Sequence, residues 1–325
     1  MSSETPYAIG IDLGGTKLAC GLIDRSGRVE YAVKKPTRGD QVSVLSDIAS
    51  AIKEVWTHTN QTAPTPVGIG VPGLVTHDGI FRYGPNISLR DVNIAQEIRQ
   101  RTGATDVHVE NDANVALWAE YCLGAGRTHD AHEITMVNLG TGIGGAFIVN
   151  GKLVRGARGF AGEPGHMVIA VDGVAGVGGL RGEIEAYASG WAMGRLARER
   201  RERFGLLDSV LQDADPLDGK AVTMAASDGD AGAIAIVNEA ARWLGIHLAG
   251  LVNALDPELI ILGGGAASAH ELMIPEAQRV MNTYTLGYPL YREPVPIVHA
   301  EMDNNAGMIG AGLLGLGHHA GRLPA

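Results

Sequence analysis

Cysteine is nearly absent: Cys20 and Cys122 are the only two in 325 residues, and both stand beside apolar neighbours. That scarcity excludes a disulfide-stapled scaffold or a cysteine-rich metal domain, and it suits two small buried thiols in a reducing compartment. Aromatic residues are sparse at 5%, and positive charge is short, with 26 Lys and Arg against 36 Asp and Glu for a formal net charge of -10. A field of that sign repels nucleic acid and anionic membrane surfaces, so neither is expected as a partner. No run of about 18 uncharged apolar residues occurs, and Met1 to Pro6 shows no basic segment followed by an apolar stretch. The expected location is therefore the cytoplasm. A Walker A motif is also missing, since no Gly-x-x-x-x-Gly-Lys-Ser/Thr spacing is found.

What is present alternates between strands and helices. With 45% hydrophobic and 19% charged positions, the chain can bury one large core or two medium ones, the size of a two-lobed enzyme. Tyr7 to Leu13 reads as an apolar strand running into Gly14-Gly15-Thr16, and Lys17 to Val33 as two more strands joined at Asp24-Arg25-Ser26-Gly27. Val42, Leu45, Ile48, Ile52, Val55 and Trp56 recur at helical spacing, and Val67 to Val71 is a short buried strand closed by Pro72-Gly73. A helix from about Asp91 to Arg101 stops at Gly103, and the strand Val107 to Glu110 delivers Asn111-Asp112 at its end. Alternation of this kind predicts an α/β lobe.

From Ile134 the pattern starts again, with Ile134 to Leu139, the turn Gly140-Thr141-Gly142-Ile143-Gly144-Gly145, and a strand pair turning at Asn150-Gly151. Asp12-Leu13-Gly14-Gly15-Thr16 and Asn138-Leu139-Gly140-Thr141-Gly142 echo one another, so an internal duplication is expected, each lobe presenting a glycine turn to a shared cleft. The expected lobes are 1–111, with a helix over about 304–325 packing back on it, and 112–303. The second continues through a glycine-rich loop, Gly173 to Gly182, a long helix from about Glu183 to Phe204, and further helix to Leu255. The strand Leu259 to Leu262 then meets Gly263-Gly264-Gly265.

A glycine turn after a buried strand lets backbone N–H groups approach phosphate oxygens, and Thr16 and Lys17 add a hydroxyl and a cation. Any one such turn is equally an ordinary hairpin, but three of them, at Gly14, Gly140 and Gly264, each end a strand. Asp12, inside an apolar strand, needs a cation or donor; it either holds magnesium through water or caps the turn. Asp112 stands where a helix N-cap belongs, and capping does not exclude accepting a hydroxyl proton. Glu163, His166 and Glu185 suit a polyhydroxylated ligand, whose hydroxyls both donate and accept. The arginines of 195–203 are interleaved with Glu199 and Glu202 and read as a solvated helix face rather than an anion site.

Six segments together carry a resemblance: Ile9-Gly-Ile-Asp-Leu-Gly-Gly-Thr-Lys17, Gly68-Ile-Gly-Val-Pro-Gly73, Glu110-Asn-Asp-Ala-Asn114, Gly140-Thr-Gly-Ile-Gly-Gly145, Gly162-Glu-Pro-Gly-His166 and Glu185-Ala-Tyr-Ala-Ser-Gly190. Over nearly its whole length the chain resembles the ROK family of repressors, open reading frames and kinases, and within it the bacterial glucokinases. The resemblance implies an actin-like (ribonuclease H-like) duplicated α/β fold in two lobes around a central cleft. It implies ATP with magnesium on Asp12, Gly14, Gly15, Thr16, Lys17, Gly140, Thr141, Gly142, Gly264 and Gly265, and Asp112 as catalytic base. Gly73, Asn86, Asn111, Asp112, Glu163, His166 and Glu185 match sugar-side positions, and a homodimer or homotetramer is implied. The family usually carries Cys-x-Cys-Gly-x-x-Gly-Cys-x-Glu, whose three thiolates bind a structural zinc with the histidine matching His166. Here the three cysteine positions hold Gly176, Gly178 and Glu183, while Gly179, Gly182 and Glu185 remain, so zinc is expected to be absent.

The expected activity is therefore phosphorylation of glucose at its 6-hydroxyl. Fructose, mannose, N-acetylglucosamine or N-acetylmannosamine as acceptor, and polyphosphate as donor, stay open. A sugar-responsive repressor is disfavoured, because six residues before the first strand leave no room for a helix-turn-helix. A nonenzymatic sugar-binding regulatory protein is expected to lose the base or the phosphate turns, and both are intact.

Overall fold

The computed structural model of the chain describes residues 7–37, 39–60, 65–206, 208–265, 269–302 and 305–317. Its internal contacts divide it into two compact units, the first made of Met1–His132, Ala146–Gly162 and Glu301–Ala325, the second of Glu133–Gly145 and Glu163–Ala300.

The first unit opens with β1 (Tyr7–Leu13), β2 (Lys17–Asp24) and β3 (Val29–Pro36), followed by α1 (Gln41–Thr59) and β4 (Val67–Val71). The apolar spacing of α1 buries Val44, Leu45, Ile48, Ile52 and Val55; Asp40 caps its start by accepting from Ser43 N, and Asn60 ends it at φ 52°. Three short strands that no periodicity marks follow, β5 (Leu74–Val75), β6 (Ile80–Tyr83) and β7 (Val92–Asn93), which form a separate small sheet. Then come α2 (Ile94–Thr102), stopped by Gly103 at φ 81°, β8 (Val107–Asn111), α3 (Asp112–Cys122) and α4 (Ala125–Thr128).

The main sheet runs β3-β2-β1-β4-β8, with β1 parallel to β4 and β4 to β8. Register sets Asp12 opposite Gly70, Gly70 opposite Glu110, and Val71 opposite Asn111. Three strands therefore finish at one edge, where open α/β sheets place ligands.

In the second unit β9 (Ile134–Leu139) leads through a glycine turn into β10 (Ile143–Val149), whose residues from Ala146 belong to the first unit and pair antiparallel with β11 (Lys152–Leu153). The expected helix from Glu183 to Phe204 is two helices, α5 (Glu185–Ala188) and α6 (Gly190–Phe204). Ser189 interrupts it because its hydroxyl accepts from Ala192 N and caps α6 in an extended conformation. After α7 (Gly219–Ser227), α8 (Ala231–Leu255), β12 (Leu259–Gly263), α9 (His270–Tyr284) and β13 (Ile297–His299), the order β10-β9-β12-β13 has β12 parallel to β9 and to β13. It echoes β2-β1-β4-β8 of the first unit.

The last helix among the described residues, α10 (Ala306–Gly315), belongs to the first unit. Of the helix expected over 304–325, residues 304 and 318–325 lie outside the described residues. Added Cβ atoms at Gly10 and Gly68 would stand 2.0 and 1.7 Å from the carbonyl oxygens of Met308 and Ala311, so the backbone of α10 rests directly on β1 and β4. Among the described residues no helix is long and apolar enough to cross a membrane.

Candidate active site

At the strand-end edge of the first unit, Asn111 is a helix cap and a tether together. Its Oδ1 accepts from Ala113 N at 2.8 Å and Asn114 N at 3.1 Å, while its Nδ2 donates to the Gly73 carbonyl at 3.1 Å. Gly73 has φ 138°, and a Cβ there would stand 2.2 Å from Tyr83 O, so only glycine fits this corner. Asp112 follows as the first residue of α3, its Oδ1 accepting from Ala113 N at 2.9 Å. Beneath them Glu110 is buried; its Oε1 accepts from Asn111 N at 2.9 Å and Asn114 Nδ2 at 3.0 Å, and its Oε2 pairs with Arg155 Nε at 2.7 Å. That ion pair and the two hydrogen bonds fix the strand end on which Asn111 and Asp112 stand.

The first glycine turn closes with Gly14 N donating to Lys17 O at 2.8 Å. Asn86 lies against it, since a Cβ on Gly15 would meet Asn86 O at 2.3 Å. Burial raises the Asp12 carboxyl above the ordinary carboxylate range, and the Lys17 charge opposes that only in part. A cation would relieve the same penalty, and magnesium held through water by one carboxylate and substrate phosphates is ordinary magnesium chemistry, so Asp12 fits that role.

In the second unit the turn at Gly140 closes through Gly140 N to Gly142 O at 2.9 Å. The start of α6 is stitched to it, with Gly190 N donating to Gly140 O at 2.8 Å and Trp191 N to Thr141 O at 3.0 Å. Gly264, at φ 94°, completes this end: a Cβ there would stand 2.4 Å from Leu139 O. Around these turns lies a cavity of about 360 Å³ lined by Thr141, Trp191, Arg198, Asp218, Lys220 and Gly265, among others. Its volume is that of a small-molecule site. Trp191, Arg198, Asp218 and Lys220 escape the sequence reading, because no local signal separates a cavity residue on α6 or α7 from a solvated one. The expected solvated arginine face is not uniform: Arg195 pairs with Glu199 at 2.7 Å but its side chain is only 15% exposed and donates to Ala186 O, and Arg198 donates to Leu217 O at 2.6 Å and faces the cavity.

Glu163, His166 and Glu185 are brought within electrostatic reach of one another. Burial pushes the Glu163 carboxyl up; the His166 charge opposes this and the Glu185 charge adds to it. Glu185 Oε2 accepts from Ile143 N at 2.8 Å, and a Cβ on Gly142 would stand 2.2 Å from that oxygen, so the glycine turn and the carboxylate share one packed corner. For His166, burial alone would lower the pKa, but the hydrogen bond and charge of Glu183, with the charges of Glu163 and Glu185, raise it.

The zinc implied by the family resemblance does not fit these donors. Of the four matching positions, Gly176 and Gly178 have no side-chain ligand, and His166 Nδ1 and Glu183 Oε1 lie 2.9 Å apart in a hydrogen bond to each other. Among the described residues there is no group of three or more His, Cys, Asp or Glu that could hold a metal ion.

The first unit thus carries one carboxylate at a helix start and one glycine turn, and the second carries three ionisable side chains near one another and two glycine turns. A family model described as "ROK family" matches residues 8–317. A glucokinase of Streptomyces coelicolor is 35% identical over 310 residues, 93% of this chain and 95% of that protein. A glucokinase of Thermotoga maritima is 34% identical over 312 residues, again 93% and 95%. The crystal structure of a ROK family glucokinase from Streptomyces griseus in complex with glucose and AMPPNP superposes with a TM-score of 0.83 at 34% identity, covering 95% of this chain and 98% of that one.

Proposed function

The chain belongs to the ROK family and has its actin-like α/β fold, and from that premise we propose that it is an ATP-dependent hexokinase that transfers the γ-phosphoryl group to the 6-hydroxyl of glucose. The observation that carries the reading is the corner at Asn111 and Asp112, a carboxylate set on a strand end by a buried hydrogen-bond network.

Phosphoryl transfer asks a protein mainly for positioning and charge stabilisation, with one base to receive the hydroxyl proton. Asp112 is that base. Gly73, Asn86 and Asn111 in the first unit, and Glu163, His166 and Glu185 in the second, hold the sugar hydroxyls. Gly14, Gly15, Thr16 and Lys17 bind phosphate oxygens through backbone N–H groups, a hydroxyl and an ammonium. Gly140, Thr141, Gly142, Gly264 and Gly265 do the same from the second unit, with the adenosine in the cavity beside Trp191 and Lys220. Magnesium bound with the nucleotide, near Asp12, neutralises charge on the triphosphate. A homodimer or homotetramer, as the family resemblance implies, is the expected assembly, which sedimentation velocity reads, and the cytoplasm is its expected location.

The test is a coupled ADP-release assay with magnesium and ATP against a panel of hexoses and N-acetylhexosamines, with polyphosphate as a second donor. Turnover greatest on glucose with ATP supports the proposal; turnover confined to another sugar or donor replaces that half of it. Silence on every pair overturns it in favour of a sugar-binding regulatory protein.

A further inference from the structure

The stretch from Met167 to Gly182, between His166 and α5, has little core of its own: Val168, Val171, Val177 and Leu180 are exposed. Backbone bonds fold it, with Ile169 N donating to Gly182 O at 2.8 Å and Gly182 N to Val174 O at 2.9 Å, and the Tyr187 hydroxyl accepts from Val174 N at 2.7 Å. Its two ends meet where His166 Nδ1 lies 2.9 Å from Glu183 Oε1.

The two partners differ sharply in depth. The His166 side chain is 52% exposed, whereas that of Glu183 is 3% exposed. A carboxylate at that depth is costly unless a donor meets it, and the ring nitrogen is the donor that does. The backbone leaves Glu183 little freedom, since it bridges to Val168 and the next residue, Ile184, donates its N–H to Met167 O at 3.0 Å. Gly176 supplies the space, because a Cβ there would stand 2.9 Å from Glu183 Oε2.

We propose that Glu183 is a positioning residue for His166, its buried carboxylate holding Nδ1 so that Nε2 is the ring atom turned to a ligand hydroxyl, and that this pair clasps the loop where the donor set has no place for a metal. With Nδ1 committed as a donor, the ring keeps one orientation and carries a proton on Nδ1 in both of its charge states. Glu183 itself touches no reacting atom. The kinetic part rests on the reading of His166 as a sugar contact, so the first measurement needs neither sugar nor turnover.

Two variants separate positioning from packing. Glu183→Gln keeps an acceptor at the same reach, and Glu183→Leu keeps the volume while removing acceptor and charge together, a replacement that buried pairs often tolerate in stability. In the sugar-free protein, ¹⁵N spectra of labelled histidine should show His166 protonated at Nδ1 in the parent and in Glu183→Gln, and shifted toward the Nε2–H tautomer in Glu183→Leu. A parent ring whose neutral form carries its proton on Nε2 overturns the proposal, whatever the variants do. In kinetics, Glu183→Leu should raise the KM for sugar by about tenfold or more while kcat changes by less than about threefold, with Glu183→Gln recovering most of the loss. A Leu variant that folds and keeps the parent KM overturns the positioning role. If the tautomer shifts as expected but the parent turns over no sugar, the pair stands and the kinase reading falls.

Discussion

The Asn111 side chain donates to the Gly73 carbonyl at 3.1 Å, joining the end of β8 to the loop after β4. The same side chain caps α3 through Ala113 N and Asn114 N, so the residue before Asp112 is tied both to the loop after β4 and to the start of α3. Replacing the Asp112 carboxylate by an amide should therefore leave the corner in place. Since a positioned base contributes roughly 10²–10⁴ in rate, Asp112→Asn should lower kcat by about that factor and leave sugar affinity within a few fold. Steady-state kinetics with calorimetric sugar binding checks this; a variant that keeps most of its turnover removes Asp112 from the role.

Gly265 lines the cavity of the second unit, and an added Cβ there meets nothing within 4 Å. Gly265→Leu should therefore fold normally and place its side chain in the cavity. The expected result is a KM for ATP raised by about tenfold or more with sugar binding unchanged. An unchanged KM would place the adenosine elsewhere.

Metal removal is the third test. A structural zinc contributes on the order of 10 kcal/mol to local folding, so its removal from a protein that depended on it would be conspicuous. Here chelator-washed protein should hold less than about 0.1 zinc per chain and melt at the temperature of the untreated protein. One tightly bound zinc per chain would refute both this expectation and the clasp between His166 and Glu183.

Acid should weaken the second unit through two histidines. Burial holds His247 at about 4, and burial with the His299 charge holds His270 at about 4. Both rings are neutral when folded, while the unfolded chain takes up protons below about pH 6.5. Their contribution is complete above that value and is lost as pH falls toward 4, by on the order of 2–3 kcal/mol for each ring. Denaturant midpoints across pH 7 to 4 should fall, and the fall should flatten in a His247→Gln, His270→Gln double variant. A slope unaffected by the double substitution would assign the acid sensitivity to other groups.

Legibility in the sequence followed the range of the interactions. Strands such as β1 and β9, and the turns at Gly14 and Gly140, were readable because a buried run ending in glycine is a local pattern. Asn111 and Asp112 were readable because a strand end and a helix start meet there. The break at Ser189 was hidden by an unbroken helical pattern; the Ser189 cap is local, but a serine there does not by itself say that the helix stops, and the pairing of Gly190 and Trp191 with the turn at Gly140, about fifty residues earlier, adds to it only in the folded chain. Strands of two residues, such as β5 and β7, carry too few positions for any period to register. Arg198 and Lys220 belong to a cavity only because α6 and α7 come together, and the near absence of side chains at that seam, where a Cβ on Gly219 would stand 2.2 Å from Gly190 O, is read only in three dimensions.

The seating of α10 on Gly10 and Gly68 also bears on how the chain is made. A ribosome delivers β1 and β4 first and α10 after residue 305, so for on the order of tens of seconds the first unit exists without the helix that lies across its sheet. During that interval the glycine-floored face of β1 and β4 is open to solvent and to other chains, and a chain stopped before α10 never covers it. Interrupted synthesis should therefore leave a sticky half-sheet for chaperones and proteases to handle, while the second unit, whose last residue is Ala300, is already whole.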